Sequence, residues 1–496
     1  MQRFILGIAL ALLPCAALAA KPPPPPLSLA DAAAIAAELG TAPAQGLTAP
    51  DVSADVAALV DPNPAARAAA DARLTRAAIA YAAAEHGMDL NPHAVDPNFA
   101  LRPNYDAAAD FARARASGTI GAWLTGLTRT DPSYVDLLAA RARYTALAAS
   151  GGWQPIPAGA PLKVGAHDPR VPALLQRLTA EGYTAATAPP PAPATASNAT
   201  NATNAANAVA PAAAAAPDPQ VFDAGLSAAV ADFQTHHALG ATGELDAATV
   251  KALNVPVKDR LAAIDINLER ARWLPVVLPP LRIEADIAGP QVTLFVDDKP
   301  QLTMRAVAGS PSRETPSFAS AVNSVEFNPP WYVPADIARR EILPKGPAYL
   351  ARNDMVVRNG TVMQRAGPQS ALGYVKFDIS DPFAVYLHDT PSRGAFASNM
   401  RWRSHGCMRL QMPRELAAAL LGWTPAQVDA AIAAKATRFV ALKDKPAVYL
   451  IYRTADADDD GKVTFRADVY GWDAELAAAM AGHPMAPRHA ATVAGA

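Results

Sequence analysis

The chain is short of cysteine, of net charge and of long apolar runs, and each shortage narrows what it can be. It has two cysteines in 496 residues, Cys15 and Cys407. Cys15 falls in a leader expected to be removed, so Cys407 has no disulfide partner within its own chain. An unpaired thiol in an oxidising compartment is a liability, which favours a chemical role for it. Basic side chains number 43 against 45 acidic ones, a net charge of −2. Nucleic acid is therefore excluded as the main partner, because phosphate binding takes a basic surface. Past the leader no stretch supplies the roughly 20 apolar residues a bilayer crossing takes, so no membrane-spanning segment is expected.

The leader itself is legible. Met1-Gln2-Arg3 is basic, Phe4 to Leu13 is unbroken apolar, and Ala17-Leu18-Ala19 offers a small-x-small cleavage site. That is a signal peptide over 1–19, which places the mature chain in the periplasm as a soluble protein. Leu12-Leu13-Pro14-Cys15 leaves a lipoprotein anchor as the alternative, although proline before the cysteine fits it poorly.

The 47 prolines cluster, which marks linkers. A proline-rich tether covers 20–27. An alanine-rich helical scaffold covers 28–160, with spacings such as Leu74, Ala77, Ala78 and Tyr81, and with breaks at Asp96-Pro97 and Asp131-Pro132. Residues 161–255 form a small helical module interrupted by 185–218. That insert of Ala, Pro, Asn and Thr has no core-forming residues and is expected to be disordered. A connecting helix or linker follows over 256–280. From 281 to 447 the period changes to that of strands: Leu281–Ile287, Val292–Val296, Leu302–Val307 and Ala384–His388. Residues 448–496 are a C-terminal extension. Within it, Asp456-Ala457-Asp458-Asp459-Asp460-Gly461 looks like a calcium loop, but Ala467 stands where the bidentate glutamate belongs. An acidic hairpin turn is the better reading. His236-His237 does not make a metal site, because adjacent histidines on a helix point apart.

Cys407 lies in Arg403-Ser404-His405-Gly406-Cys407-Met408-Arg409-Leu410, and His388 ends a strand nineteen residues earlier. A thiolate is a strong nucleophile whose thioester stays reactive, and it needs a neighbouring base or cation to form at neutral pH. His388 is the candidate base; His405 competes from two residues away. Backbone N–H groups of Gly406 and Cys407 are the natural oxyanion hole, and a glycine there lets backbone approach the substrate.

Ser404, Gly406, Cys407 and Arg409 fill the Ser-x-Gly-Cys-x-Arg signature of the L,D-transpeptidase (YkuD-type) catalytic domain. Val385-Tyr386-Leu387-His388-Asp389-Thr390-Pro391 fills its upstream motif. Gly309, Arg313-Glu314-Thr315-Pro316 and Phe327-Asn328-Pro329-Pro330-Trp331-Tyr332-Val333-Pro334 match as well, the last pointing to the large periplasmic subfamily. Ala229-Val230-Ala231-Asp232-Phe233-Gln234 and Thr249-Val250-Lys251-Ala252-Leu253 resemble the three-helix peptidoglycan-binding domain. The resemblance implies an α+β multidomain chain: a mostly-β catalytic domain, an all-α scaffold and a small three-helix binding domain. It implies a lid over about 331–373, His388 as base, and the Tyr386 backbone carbonyl as its orienter, with Ser404 a second candidate. Arg409, His405, Trp331, Tyr332 and Asn328 are assigned to the substrate cleft. The implied reaction takes peptidoglycan tetrapeptide stems, releases D-alanine and transfers the acyl group to an amine, giving a 3→3 cross-link. Peptidoglycan stems and glycan are the implied partners, carbapenems and penems the implied inhibitors, and no metal or organic cofactor is required. Two alternatives are a zinc hydrolase using His388, His405 and Cys407 as ligands, and a non-catalytic peptidoglycan-binding envelope protein.

Overall fold

The computed structural model describes residues 25–184 and 218–483. The signal peptide, Cys15, most of the tether, the insert except Asp218 and the last thirteen residues of the extension lie outside the described residues. Contacts group the chain into two units. The first comprises residues up to Gly40 with Ala49–Tyr81 and Asp106–Gly126; the second comprises Thr41–Thr48, Ala82–Tyr105 and everything from Leu127 on.

The first unit is helical, as the alanine-rich composition predicts. Leu74, Ala77, Ala78 and Tyr81, at helical spacing, are all buried. The Asp106 carboxylate caps Ala107–Ser117 by accepting from Ala109 N–H. Arg115 crosses to Asp71 at 2.7 Å.

In the second unit, helix Pro132–Ala149 starts where Asp131-Pro132 predicts a break, and Asp131 caps it through Tyr134 N–H. Helices Val171–Ala180, Ala224–His236 and Ala247–Leu253 form the small module. They close on Leu174, Leu178, Phe222, Val230, Phe233 and Leu253. Asp223 and Asp246 cap its second and third helices. Helix Val257–Arg272 then leads into the sheet.

The β domain is a closed ring of eight strands. β1 (Leu281–Asp286), β2 (Gln291–Val296), β3 (Lys299–Gly309) and β4 (Phe318–Phe327) come first. β1 to β3 form hairpins, and Asp297 and Asp298 turn between Val296 and Lys299 with φ of 50° and 60°. Positive φ at both central residues matches the right-handed twist of the flanking strands. β5 (Trp331–Tyr332), β6 (Met355–Arg358) and β7 (Thr361–Gln364) make a separate three-stranded sheet in the lid region. The ring resumes with β8 (Val375–Ile379), β9 (Leu387–His388), β10 (Trp402–Ser404) and β11 (Met408–Leu410). After helices Pro413–Leu421 and Pro425–Ala433 come β12 (Arg438–Ala441) and β13 (Ala447–Ile451). The order around the ring is β3, β11, β9, β8, β4, β13, β1, β2, closed by β2 on β3. β10 adds to β3, and β12 to β4.

Two boundaries need correction. Ala384–His388 is a strand only at Leu387–His388, because Ala384 has φ 54° and Asp381 folds the preceding loop by accepting from Phe383 and Val385 N–H. A domain boundary at 447 cuts β13, which lies between β1 and β4 in the middle of the ring. Periodicity shows a strand there without showing its neighbours. The acidic loop is a hairpin, as expected: β14 (Ala455–Ala457) pairs with β15 (Val463–Phe465), and Asp458 accepts from Lys462 N–H. No single helix among the described residues is long and apolar enough to cross a membrane.

Candidate active site

The site is assembled by the pairing of β9 with β11. The strands run parallel with Met408 beside Leu387 and Arg409 beside His388. Met408 and Leu387 are fully buried in the ring core. Because side chains alternate, their neighbours Tyr386, His388, Cys407 and Arg409 share the opposite face. One step further, β8 sets Lys376 beside His388, and β4 sets Glu326 beside Lys376. A polar row therefore crosses four strands: Glu326, Lys376, His388, Arg409.

His388 is 5% exposed. Its Nδ1 lies 2.6 Å from the carbonyl of Asp389. A carbonyl only accepts, so Nδ1 carries the proton and Nε2 presents a lone pair. This corrects the expected orienter: the Tyr386 carbonyl accepts from Met408 N–H instead, in the β9–β11 ladder. Burial, reinforced by Arg409, pushes the imidazole down to about 3. The half-buried Cys407 thiol is pushed up to about 11, by burial first and with Asp381 adding, while Tyr386 and Arg409 pull the other way. The resting pair is thus a neutral thiol and a neutral imidazole. Tyr386 contributes both its N–H and its phenol beside the sulfur, and its ring lies 5.5 Å from that of His388.

Ser404 braces the loop and leaves His388 alone. Its hydroxyl donates to the Cys407 carbonyl at 2.5 Å and accepts from Gly406 N–H at 3.1 Å. The Gly406 N–H is therefore spent, and the oxyanion hole reduces to the Cys407 N–H. The space around Gly406 is open. An added Cβ there meets only the Glu314 carbonyl at 3.5 Å, whereas φ is +115°. The requirement is conformational. Gly309 is the opposite case, since a Cβ would collide with the Arg313 and Thr315 backbone.

The expected cleft residues divide. Arg409 lies on the site face beside the thiol and imidazole; its Nε is buried without a partner, and among the described residues no carboxylate pairs with it. Trp331 reaches the phenol of Tyr386. Tyr332 is 65% exposed. His405 turns away from the sulfur, with Nε2 2.9 Å from Glu341. Asn328 is not in the cleft: it sits at φ 49°, and its amide donates to the carbonyls of Ala431, Ile432 and Ala436. It locks the end of β4 to the helix Pro425–Ala433 and the loop after it. The zinc alternative needs His405 to converge with His388 and Cys407, and among the described residues no cluster of three or more such side chains is placed to hold a metal.

The lid region folds on its own core of Val333, Ile337, Ile342, Met355 and Val362. Arg313 pins it through Asp336 at 2.6 Å and Glu341 at 3.4 Å. A cavity of about 610 Å³ lies elsewhere, lined by Tyr134, Arg282, Tyr452 and Arg453, and by neither Cys407 nor His388. Volume alone does not locate this chemistry. Sequence reasoning missed the Asp389 carbonyl and Lys376. Asp389 was within reach, as the residue next to the base in a quoted motif. Lys376 had no signal, because only strand register brings it there.

Family models, a curated relative and solved structures match parts of this chain. The L,D-transpeptidase (YkuD) catalytic domain model matches 280–428. The scaffold domain model matches 28–140, and a peptidoglycan-binding domain model, itself provisionally described, matches 212–253. A Haemophilus influenzae protein provisionally named an L,D-transpeptidase is 31% identical over 201 residues, 35% of this chain. The match spans 41% of that relative's length. Among solved structures, a mutant L,D-transpeptidase of Enterococcus faecium is 13% identical, with 39% of this chain and 64% of that one covered and a TM-score of 0.21. L,D-transpeptidase 3 of Mycobacterium tuberculosis with a faropenem-derived adduct is 16% identical, with 35% and 60% covered and a TM-score of 0.21.

Proposed function

We propose that this protein is a periplasmic acyltransferase that carries peptidoglycan stem peptides on Cys407. The observation that supports it most directly is the β9–β11 register, which sets Cys407 and His388 as diagonal neighbours on one face of the ring. Sγ attacks the carbonyl carbon at the L-centre of the third stem residue, and its proton passes to Nε2 of His388 as the S–C bond forms. Proton transfer concerted with attack suits a pair that is neutral at rest. The oxyanion gathers at Cys407 N–H, near the Arg409 guanidinium. Collapse breaks the C–N bond to the terminal D-alanine, whose amine takes the proton back from His388. The side-chain amine of a second stem then attacks the thioester, gives a proton to His388, and expels the sulfur, which regains that proton. A 3→3 cross-link results. The lid excludes water that would hydrolyse the thioester. The helical module tethers the enzyme to glycan.

Intact-mass measurement with a carbapenem tests this reading. An adduct on the wild type that disappears in Cys407→Ala and in His388→Ala, and persists in His405→Ala, is expected. Adduct formation that stops only in His405→Ala overturns the assignment of the base. Chelators leave a thiol enzyme active and iodoacetamide stops it; the reverse pattern belongs to a zinc hydrolase.

A further inference from the structure

The Cys407 N–H and the Gly406 carbonyl belong to one planar peptide unit and point in opposite directions. Whatever holds that carbonyl therefore aims the N–H. The Gly406 carbonyl accepts from the hydroxyl of Thr315 at 2.7 Å. That hydroxyl in turn accepts from Gly309 N–H at 2.8 Å, so both its roles are filled and its direction is set. Thr315 is itself held from the far end of the chain. The phenol of Tyr470 donates to the Gly309 carbonyl at 2.7 Å and accepts from Thr315 N–H at 3.3 Å. Neither side chain has freedom to drift, since Thr315 is 0% and Tyr470 4% exposed. Two residues beyond Tyr470, Trp472 Nε1 donates to the Glu314 carboxylate at 3.1 Å, and Asn98 donates to the same oxygen at 2.8 Å. Consecutive residues Glu314 and Thr315 are thus clamped by a segment that begins after β15.

We propose that Thr315 and Tyr470 are positioning residues of the acyl transfer: a relay of two hydroxyls fixes the Gly406–Cys407 peptide so that the Cys407 N–H faces the oxyanion. Neither hydroxyl touches the reacting atoms. A carbonyl that accepts a hydrogen bond also makes the N–H of its own peptide a better donor, so the relay acts on strength as well as on direction. The inference rests on the thioester reading. It adds that the matched segment 280–428 is incomplete as a catalytic unit without residues near 470.

The test separates chemistry that builds an oxyanion from chemistry that does not. Carbapenem acylation of Cys407 passes through a tetrahedral oxyanion, whereas alkylation by iodoacetamide is a displacement at saturated carbon with none. Both rates are measured on the full chain at one pH for wild type, Thr315→Val, Thr315→Ser and Tyr470→Phe, with thermal midpoints alongside. Thr315→Val keeps shape and loses the hydroxyl, and its acylation is expected to slow by about 10²-fold, the scale of a lost oxyanion donor. Tyr470→Phe is expected to slow it by about tenfold, since it acts one bond further away. Thr315→Ser restores the wild-type rate, and alkylation stays within about twofold in every variant. Wild-type acylation in Thr315→Val and Tyr470→Phe, or a parallel loss of acylation and alkylation, overturns the proposal. No adduct on the wild type overturns the thioester reading and the proposal with it.

Discussion

Replacing Trp472 with alanine asks whether the segment after β15 is an appendage or part of the catalytic core. The indole is 1% exposed. It meets Phe99 edge-on at 4.9 Å, Tyr452 at 4.7 Å and Tyr470 at 5.0 Å. Truncating a buried tryptophan to alanine costs about 3–5 kcal/mol. Losing its hydrogen bond to Glu314 adds about 1 kcal/mol. For a unit of about 200 residues each kcal/mol moves the midpoint by about 2–4 °C, so a fall of about 8–24 °C is expected. Trp472→Phe keeps most of the contact and loses the N–H, a cost of about 1–2 kcal/mol and a fall of about 2–8 °C. Differential scanning calorimetry of the full chain is the assay, because several domains give several transitions and only that of the β domain is at issue. A shift under about 2 °C in Trp472→Ala would refute the claim that this segment belongs to the core.

Asn328→Ala should act through stability, not substrate affinity. It leaves three carbonyls without their donor and puts alanine, which tolerates left-handed backbone less well than asparagine, at φ 49°, for about 1–3 kcal/mol, read as a lower thermal midpoint with KM unchanged. Raised KM at an unchanged midpoint would return Asn328 to the cleft. The pH dependence of Cys407 alkylation follows from a thiol held near 11. A raised thiol deprotonates only as pH climbs, so the rate should rise about tenfold per unit through pH 9 with no plateau below about pH 10. A plateau near pH 8 would show that the resting pair is thiolate and imidazolium.

How much of this was legible depends on the range over which each signal acts. Local signals carried well. Asp131-Pro132 marked a helix break because capping is settled within one turn, and the acidic loop from Asp456 to Gly461 marked a hairpin because turn composition is a local signal. The thiol, the imidazole and their motifs were found because chemistry confines residue types. Roles that depend on which hydrogen bond a group makes were not legible. Ser404 stood as a second candidate to orient His388, and only the folded loop shows that it braces Cys407 and Gly406. Asn328 sat in a motif that reads as a cleft, yet its backbone conformation makes it a clamp. Tyr470 lies more than sixty residues from Cys407 in sequence, and nothing local reports that separation.

β13 pairs in parallel with β1, its partner some 165 residues earlier, and no earlier strand takes that slot. Such a ring has low local and high non-local content, which slows closure. A chain emerging from a ribosome with its N-terminus leading has both ends of the reactive pair out before the last stave that lets the cylinder seal. The nucleophile is thus made early and armed late, because a geometry that depends on sealing waits for the final piece to arrive.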